Sequence, residues 1–173
     1  MTERDIGKAF VTVMTAALTA QGRSDVKLFR AFTAQQQSAT KQVAIFFAPV
    51  VPSDIVSVVS IAKPSEGVRK TQTTSRETYQ FTAVKTATQG DTDSAFDTIN
   101  LLYKLVNSYD GIRNLLNQGI NIEKSRQIRH DWVENESGGR DDYASFDLTF
   151  YVVSEIEESM NTTGTINPTL YPV

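Results

Sequence analysis

The residues best suited to chemistry in this chain are its single histidine and a few carboxylates. His130 is the only histidine among 173 residues, and the neighbouring Asp131 could orient its ring as a general base. A lone histidine near the end of a strand more often has a structural role. We therefore predict no catalytic residues, and we expect that the chain is not an enzyme.

Two acidic pairs are the candidates for a metal site. Asp91 with Asp93 and Asp141 with Asp142 offer oxygen ligands for a divalent cation, but neither has the spacing of an EF-hand. Helix capping already explains the first pair. The chain has no cysteine, which excludes thiolate zinc sites and disulfides, and the common phosphate, dinucleotide, hydrolase and zinc-protease motifs are absent. We predict no metal and no cofactor.

A basic stretch is the best nucleic-acid candidate, and it contains Lys124, Arg126, Arg129 and His130 with Trp132 nearby. Acidic residues interleave with it, and cross-strand pairing with a neighbouring acidic loop explains the pattern equally well. The net charge of −3 gives no overall attraction to nucleic acid. A small monomeric enzyme or nucleic-acid-binding domain remains the alternative from another functional class.

An amphipathic helix from Asp91 to Asn107, with Asp91 as its N-cap, is the element around which the sequence is organised. Its apolar side chains cover an arc of about 220°, whereas one sheet face needs about 100°. Leu101 and Leu105 lie off the edge of the main stripe. The helix therefore needs a second partner for these two residues, either the first helix or another subunit.

The remaining pattern predicts an α/β (α+β) fold: a mixed, largely antiparallel sheet packed by two long helices, with an extended C-terminal arm. A single domain is expected over residues 1–154, and the arm over 155–173. Lys63 to Ser75 is polar and is interpreted as a long loop or hairpin. The other predicted elements are a helix from Thr2 to Gly22 and strands at Val26–Phe32 (also compatible with helix), Val43–Ala48, Ile55–Ala62, Arg76–Lys85, Ile120–Val133 and Tyr143–Val153, the last two forming a hairpin.

The C-terminal segment is rich in Thr and Asn and contains Pro168 and Pro172, which argue against a helix. Ile166, Leu170 and Tyr171 are nevertheless apolar enough to dock on a neighbouring surface. We predict that these three residues contact another subunit or an adjacent ring.

Several short motifs resemble the tail-terminator or neck-terminator proteins of tailed bacteriophages. Leu115 to Ile122 is similar to that family's passage from helix into strand, and Ile128-Arg129 occupies the place of its I-R pair. Tyr143 to Leu148 is similar to its P-S-F-D strand, with Ala144 in place of proline. Phe29 to Phe32, followed by three glutamines, resembles an early segment more loosely.

The resemblance implies a homohexameric ring that ends the tail tube, with the tail tube protein on one side and the head-connector or adaptor protein on the other. A head-completion or connector adaptor is the alternative within this class. The protein would fold in the host cytoplasm and reside in the virion; no signal peptide or membrane span is apparent. DNA would pass without specific binding, so acidic residues are expected at the lumen. The candidates are Glu134, Glu136, Asp141 and Asp142.

Overall fold

The computed structural model describes residues 3–30, 44–63, 67–86, 94–123, 127–134 and 140–159. It confirms the mixed α+β class, with helices packed on one face of a largely antiparallel sheet. The elements are α1 (Glu3–Ala20), β1 (Lys27–Arg30), β2 (Ala44–Lys63), β3 (Val68–Thr86), α2 (Ala95–Val106), α3 (Tyr109–Asn117), β4 (Ile120–Glu123), β5 (Ile128–Glu134) and β6 (Arg140–Ser159). The strand order is β1-β2-β3-β6-β4, and β5 also pairs with β6.

Two long antiparallel strands, β3 and β6, form the centre of the sheet. Their register runs without a shift from Val68 opposite Ser159 to Thr86 opposite Asp141. β2 flanks β3, and the short β4 and β5 flank β6, all in antiparallel pairs. Only the pairing of β1 with β2 is parallel. The predicted hairpin between the last two strands is therefore confirmed.

The core lies between the helices and one face of this sheet. Phe81 is at its centre, with ring centroids 4.7 Å from Phe10, 5.2 Å from Phe146 and 5.5 Å from Phe47. Alternation along the strands places the rings of Phe47, Phe81 and Phe146 on the face of the sheet that the helices cover. The residues of α1 in the core recur every four positions: Ile6, Phe10, Met14 and Leu18.

The N-terminus of α2 corrects the sequence interpretation. Ser94, not Asp91, is the N-cap, and its hydroxyl accepts a hydrogen bond from the Asp97 backbone N–H at 3.0 Å while Asp97 accepts from the Ser94 N–H. This reciprocal capping box satisfies two backbone donors. At the other end, α2 turns directly into α3, and Gly111 fits there because a Cβ would overlap the Leu105 carbonyl oxygen.

The strands are longer than the sequence predicts. β2 continues through Pro49 and Pro52 with register shifts. No described strand lies at its outer edge there, and strands tolerate proline at such edges. Of the loop or hairpin predicted from Lys63 to Ser75, the hairpin is confirmed: Lys63 at the end of β2 lies opposite Val68, and the residues from Val68 onward form the first half of β3. Ile120–Val133 forms two strands, and β6 extends to Ser159, five residues into the segment assigned to the arm.

We predict that Phe81→Ala lowers the free energy of unfolding by about 3–5 kcal/mol, because it removes the ring at the centre of the aromatic core. Phe29→Ala is the control, since Phe29 is 48% exposed, and should cost less than about 1 kcal/mol. Chemical denaturation of both variants would measure the difference. Equal losses would contradict the packing described here.

Candidate functional site

The side chain of Asp142 is at the centre of a buried polar cluster. It is only 3% exposed, and its Oδ2 accepts a hydrogen bond from the backbone N–H of Ala95 at 2.6 Å. Its Oδ1 lies 2.6 Å from Nε2 of His130. Lys85, also buried, is its cross-strand neighbour on β3. The carboxylate that orients His130 is therefore Asp142 and not the adjacent Asp131.

This cluster joins the β5–β6 hairpin to the first turn of α2. Asp142 places a negative charge at the positive end of the helix dipole and satisfies one of the free N–H groups there. The His130 ring packs against Phe96 and Trp132, with centroids at 5.2 and 5.3 Å. Both oxygens of Asp142 are thus engaged in holding these elements together, which supports a structural role for the histidine.

The described residues contain no group of three or more His, Cys, Asp or Glu that could hold a metal ion. Of the two acidic pairs considered from the sequence, Asp91 and Asp93 lie outside the described residues. In the other pair, Asp142 is buried in the cluster above, whereas Asp141 is partly exposed. The two carboxylates therefore do not face one another as joint ligands, because neighbouring strand residues point to opposite sides.

The basic stretch is neutralised where it is described. Arg129 contacts Asp147 on β6 at 2.6 Å, and Lys124 and Arg126 lie outside the described residues. Trp132 is 55% exposed on β5. The pairing expected from the sequence therefore occurs. His130 pairs with Asp142 of the acidic segment, and Arg129 pairs with Asp147 further along β6.

An extensive exposed apolar surface lies on a projection that we call the β-arm: residues 54–63 of β2, 68–76 of β3 and 153–159 of β6. These three strand ends extend beyond the helices as one three-stranded ribbon. Every residue of its β2 strand is exposed. Seven large apolar side chains are exposed on it: Ile55, Val56, Val58, Val59, Ile61, Val153 and Ile156.

Polar contacts keep the β-arm ordered without a core. Lys70 contacts Glu155 at 3.0 Å and Glu157 at 3.2 Å, and Gln72 donates to Glu155 at 3.0 Å. Hydrogen bonds from Gln72 and Lys70 hold the pKa of Glu155 below its usual value, and the two glutamates raise the pKa of Lys70. The contacts of ionised Glu155 therefore stabilise the fold fully above the usual carboxylate pKa. This stabilisation is lost as the pH falls through the lowered pKa of Glu155.

Sequence reasoning identified only part of the β-arm. Val56, Val58 and Val59 indicated a strand, but Val68 to Ser75 was interpreted as part of a long loop or hairpin because the segment is polar. Several threonines, which favour strands through their branched Cβ, were the available signal.

A second exposed apolar surface lies on α3. Tyr109, Ile112 and Leu116 are 77%, 40% and 56% exposed and recur at helical spacing. Leu116 also lines a groove of about 570 Å³ with Tyr151 and Val153, at the base of the β-arm. The two apolar surfaces therefore meet at that point.

The predicted contact residues on α2 lie partly within the subunit. Leu101 and Leu105 are half-buried and pack against the core. Leu105 also lines an open groove of about 680 Å³ between α1 and α3, where Val13 and Ala17 contribute apolar surface. The first helix thus provides part of the packing surface that the sequence predicted for these leucines. Contact of either leucine with another subunit stays a prediction.

The acidic residues predicted at a lumen differ in their positions. Glu134 is exposed and Asp141 is partly exposed, whereas Glu136 lies outside the described residues. Asp142 is buried within the subunit, so it cannot present its charge to a lumen. The predicted C-terminal contacts Ile166, Leu170 and Tyr171 also lie outside the described residues.

None of the helices in the described ranges is both long and apolar enough to cross a membrane. Comparison with protein families gives one informative similarity. The family described as E217 gateway protein gp29 matches residues 5–162, which include all of the elements above except the first two residues of α1. No curated protein matches the chain.

We predict that Asp142→Ala lowers the free energy of unfolding by about 1–3 kcal/mol, because it leaves the buried Ala95 N–H without its acceptor. Asp131→Ala is the matched control on the other side of His130 and should change stability by less than about 0.5 kcal/mol, since Asp131 is exposed. Urea denaturation monitored by circular dichroism would compare them. The assigned role of Asp142 would be wrong if the two variants lost the same stability.

Proposed function

This chain belongs to the family of the E217 gateway protein gp29, a family of the phage neck region, and we propose that it forms a ring at the end of the tail tube. In this proposal the ring is a homohexamer that stops tube polymerisation. One side contacts the tail tube protein, and the other contacts the head-connector or adaptor protein. The proposal gives the chain a structural role and no catalytic one.

The observation that carries the proposal is the exposed β-arm. A monomer that leaves seven large apolar side chains uncovered on one projection has a surface suited to another protein chain. The second exposed surface, on α3, differs from the β-arm in shape and composition. Contacts between two different surfaces of identical chains are heterologous, and such contacts form a ring when the rotation between successive copies closes.

The passage of DNA places a further condition on the ring. Each phosphate that a protein neutralises adds a salt-dependent affinity, and tight binding would slow transit. Exposed Glu134 and partly exposed Asp141 are the described residues that we propose toward the lumen. The ion pair of Arg129 with Asp147 removes one basic group from such a surface.

Assembly on tail tubes is the direct test. We expect the purified chain, of 19.2 kDa, to form a species of about 115 kDa in native mass spectrometry, and we expect it to cap tubes and halt their growth in negative-stain images. Binding to the connector without an effect on tube length would instead indicate the adaptor function. A chain that stays monomeric and binds neither structure would contradict the proposal.

Affinity for DNA is a separate test of the lumen. We expect no binding of duplex DNA tighter than about 1 μM at physiological salt, because the chain carries a net charge of −3. Fluorescence anisotropy with a labelled duplex would measure it, with titrations at low salt to detect residual electrostatic attraction. Tighter binding at physiological salt would argue against free passage of DNA.

A further inference from the structure

Within the described part of the chain, the β-arm has two edges without a neighbouring strand. On one side, β1 pairs with β2 only as far as Phe47, so the outer edge of β2 has no described strand beside it from Ala48 to Lys63. On the other side, β4 pairs with β6 only as far as Val152, so no described strand lies beside the edge from Val153 to Ser159. Unpaired edges of this kind are templates for pairing with another chain.

The two edges differ in charge. The β2 edge has no charged residue from Ile55 to Ala62, a run of Ile, Val, Ser and Ala. The β6 edge carries Glu155, Glu157 and Glu158. Charged edge residues discourage pairing between identical edges, whereas an uncharged β-branched edge favours strand addition.

We propose that the β2 edge of one β-arm pairs with the β6 edge of the β-arm of a neighbouring copy, so that the arms form one continuous sheet around the ring. This inference rests on the proposed ring function. It adds the interface that joins the subunits and assigns each edge of the β-arm to one side of it.

Strand direction supports this pairing. β2 and β6 are both antiparallel to β3, so they run in the same direction within each β-arm. Rotation about a ring axis keeps the strand direction along that axis, so the β2 and β6 edges of arms that lie along the axis meet as parallel strands. Pairing of two β2 edges as antiparallel strands would instead need a two-fold axis and would point the arms in opposite directions.

Charge supports it as well. Antiparallel self-pairing of β6 centred on Ile156 would place Glu155 directly opposite Glu157 of the other copy, which is unfavourable. Self-pairing of β2 avoids that repulsion but leaves the acidic edge of both copies unpaired. Pairing of β2 with β6 places each acidic edge beside an uncharged one. It also pairs every β6 edge from Val153 to Ser159 when the ring closes.

The extent of the contact is set by the shorter edge. The seven residues from Val153 to Ser159 span about 23 Å of strand at about 3.3 Å per residue. Each copy would contribute one such contact on each side of its β-arm. Exposed aliphatic side chains at both edges would be covered where the arms meet, with Val58 and Ile156 as examples.

Three lysine substitutions on one face of the β-arm test the proposal. Val58 on β2 and Ile156 on β6 are both 58% exposed, and both lie on the face of Thr73 in the middle strand. We expect Val58→Lys and Ile156→Lys each to raise the concentration at which the full-length ring half-dissociates by at least about tenfold, because lysine at an edge opposes strand pairing. Thr73→Lys is the control and should change it by less than about twofold.

Analytical ultracentrifugation would measure dissociation, and circular dichroism would verify that each variant is folded. An effect of Val58→Lys alone would indicate self-pairing of β2, and equal effects of all three variants would indicate stacking through the face. Either result would overturn the edge assignment. Intact rings in all three variants would also overturn the edge assignment, but they would not contradict the proposed function. A monomeric wild-type chain would overturn both the edge assignment and the proposed function.

Cross-linking gives a second measurement that does not depend on weakening the ring. The chain has no cysteine, so Val58→Cys with Ser154→Cys introduces one thiol at each edge, at the same level through Thr73. A short thiol cross-linker should join the doubly substituted chain into covalent species up to the full ring. The Val58→Cys chain alone should stay uncross-linked, and efficient dimer formation from it would contradict the proposal.

Discussion

The pairing of β3 with β6 is the interaction on which the rest of the structure depends. Its register is unbroken from one end of the two strands to the other, so the same backbone ladder serves two different environments. At one end, alternate residues such as Phe81 and Phe146 bury their rings beneath the helices. At the other end no helix covers the strands, and backbone pairing with a few polar contacts holds the β-arm. The core therefore acts as the rigid base from which the β-arm projects.

The same pairing also determines where the helices sit. Asp142 is on β6, close to the end of its ladder with β3, and it binds the first turn of α2. Leu102 and Val106 of α2 then pack into the core, and Gly111 allows α3 to follow with almost no connecting loop. The position of α3 beside the base of the β-arm is thus a consequence of contacts that begin on β6. A single strand links the polar cluster, the core and the projection.

The sequence predicted the parts of the fold that bury one face. Four-residue spacing in α1 and two-residue alternation around Tyr79 and Phe146 correspond to burial, because only a covered face requires apolar side chains at those intervals. The β-arm has no covered face in the single chain, so Val68 to Arg76 carries no such alternation. The candidate site was harder to predict for the same reason: surfaces that depend on partners or on distant strands leave weak local patterns.

The remaining differences came from choices among similar local signals. Aspartate and serine are both good N-cap residues. Ser94 is the N-cap because Asp97, three residues later, completes the capping box. Asp131 adjoins His130 in sequence, yet strand alternation turns it to the opposite side, whereas Asp142 faces the ring from the neighbouring strand. Pairing across a sheet depends on register, and the register is fixed by residues far away in the chain.

The composition of the β-arm also limits its tendency to aggregate as a single chain. A long exposed ribbon rich in Val and Ile would tend to aggregate if both of its edges were uncharged. Three glutamates on β6 make one edge unsuited to association with its own copy, and the register shifts of β2 near Ile55 disturb the base of the other. The ion pairs of Lys70 with Glu155 and Glu157 lie within the β-arm and keep its strands together without any partner. The projection can therefore persist in a single folded chain.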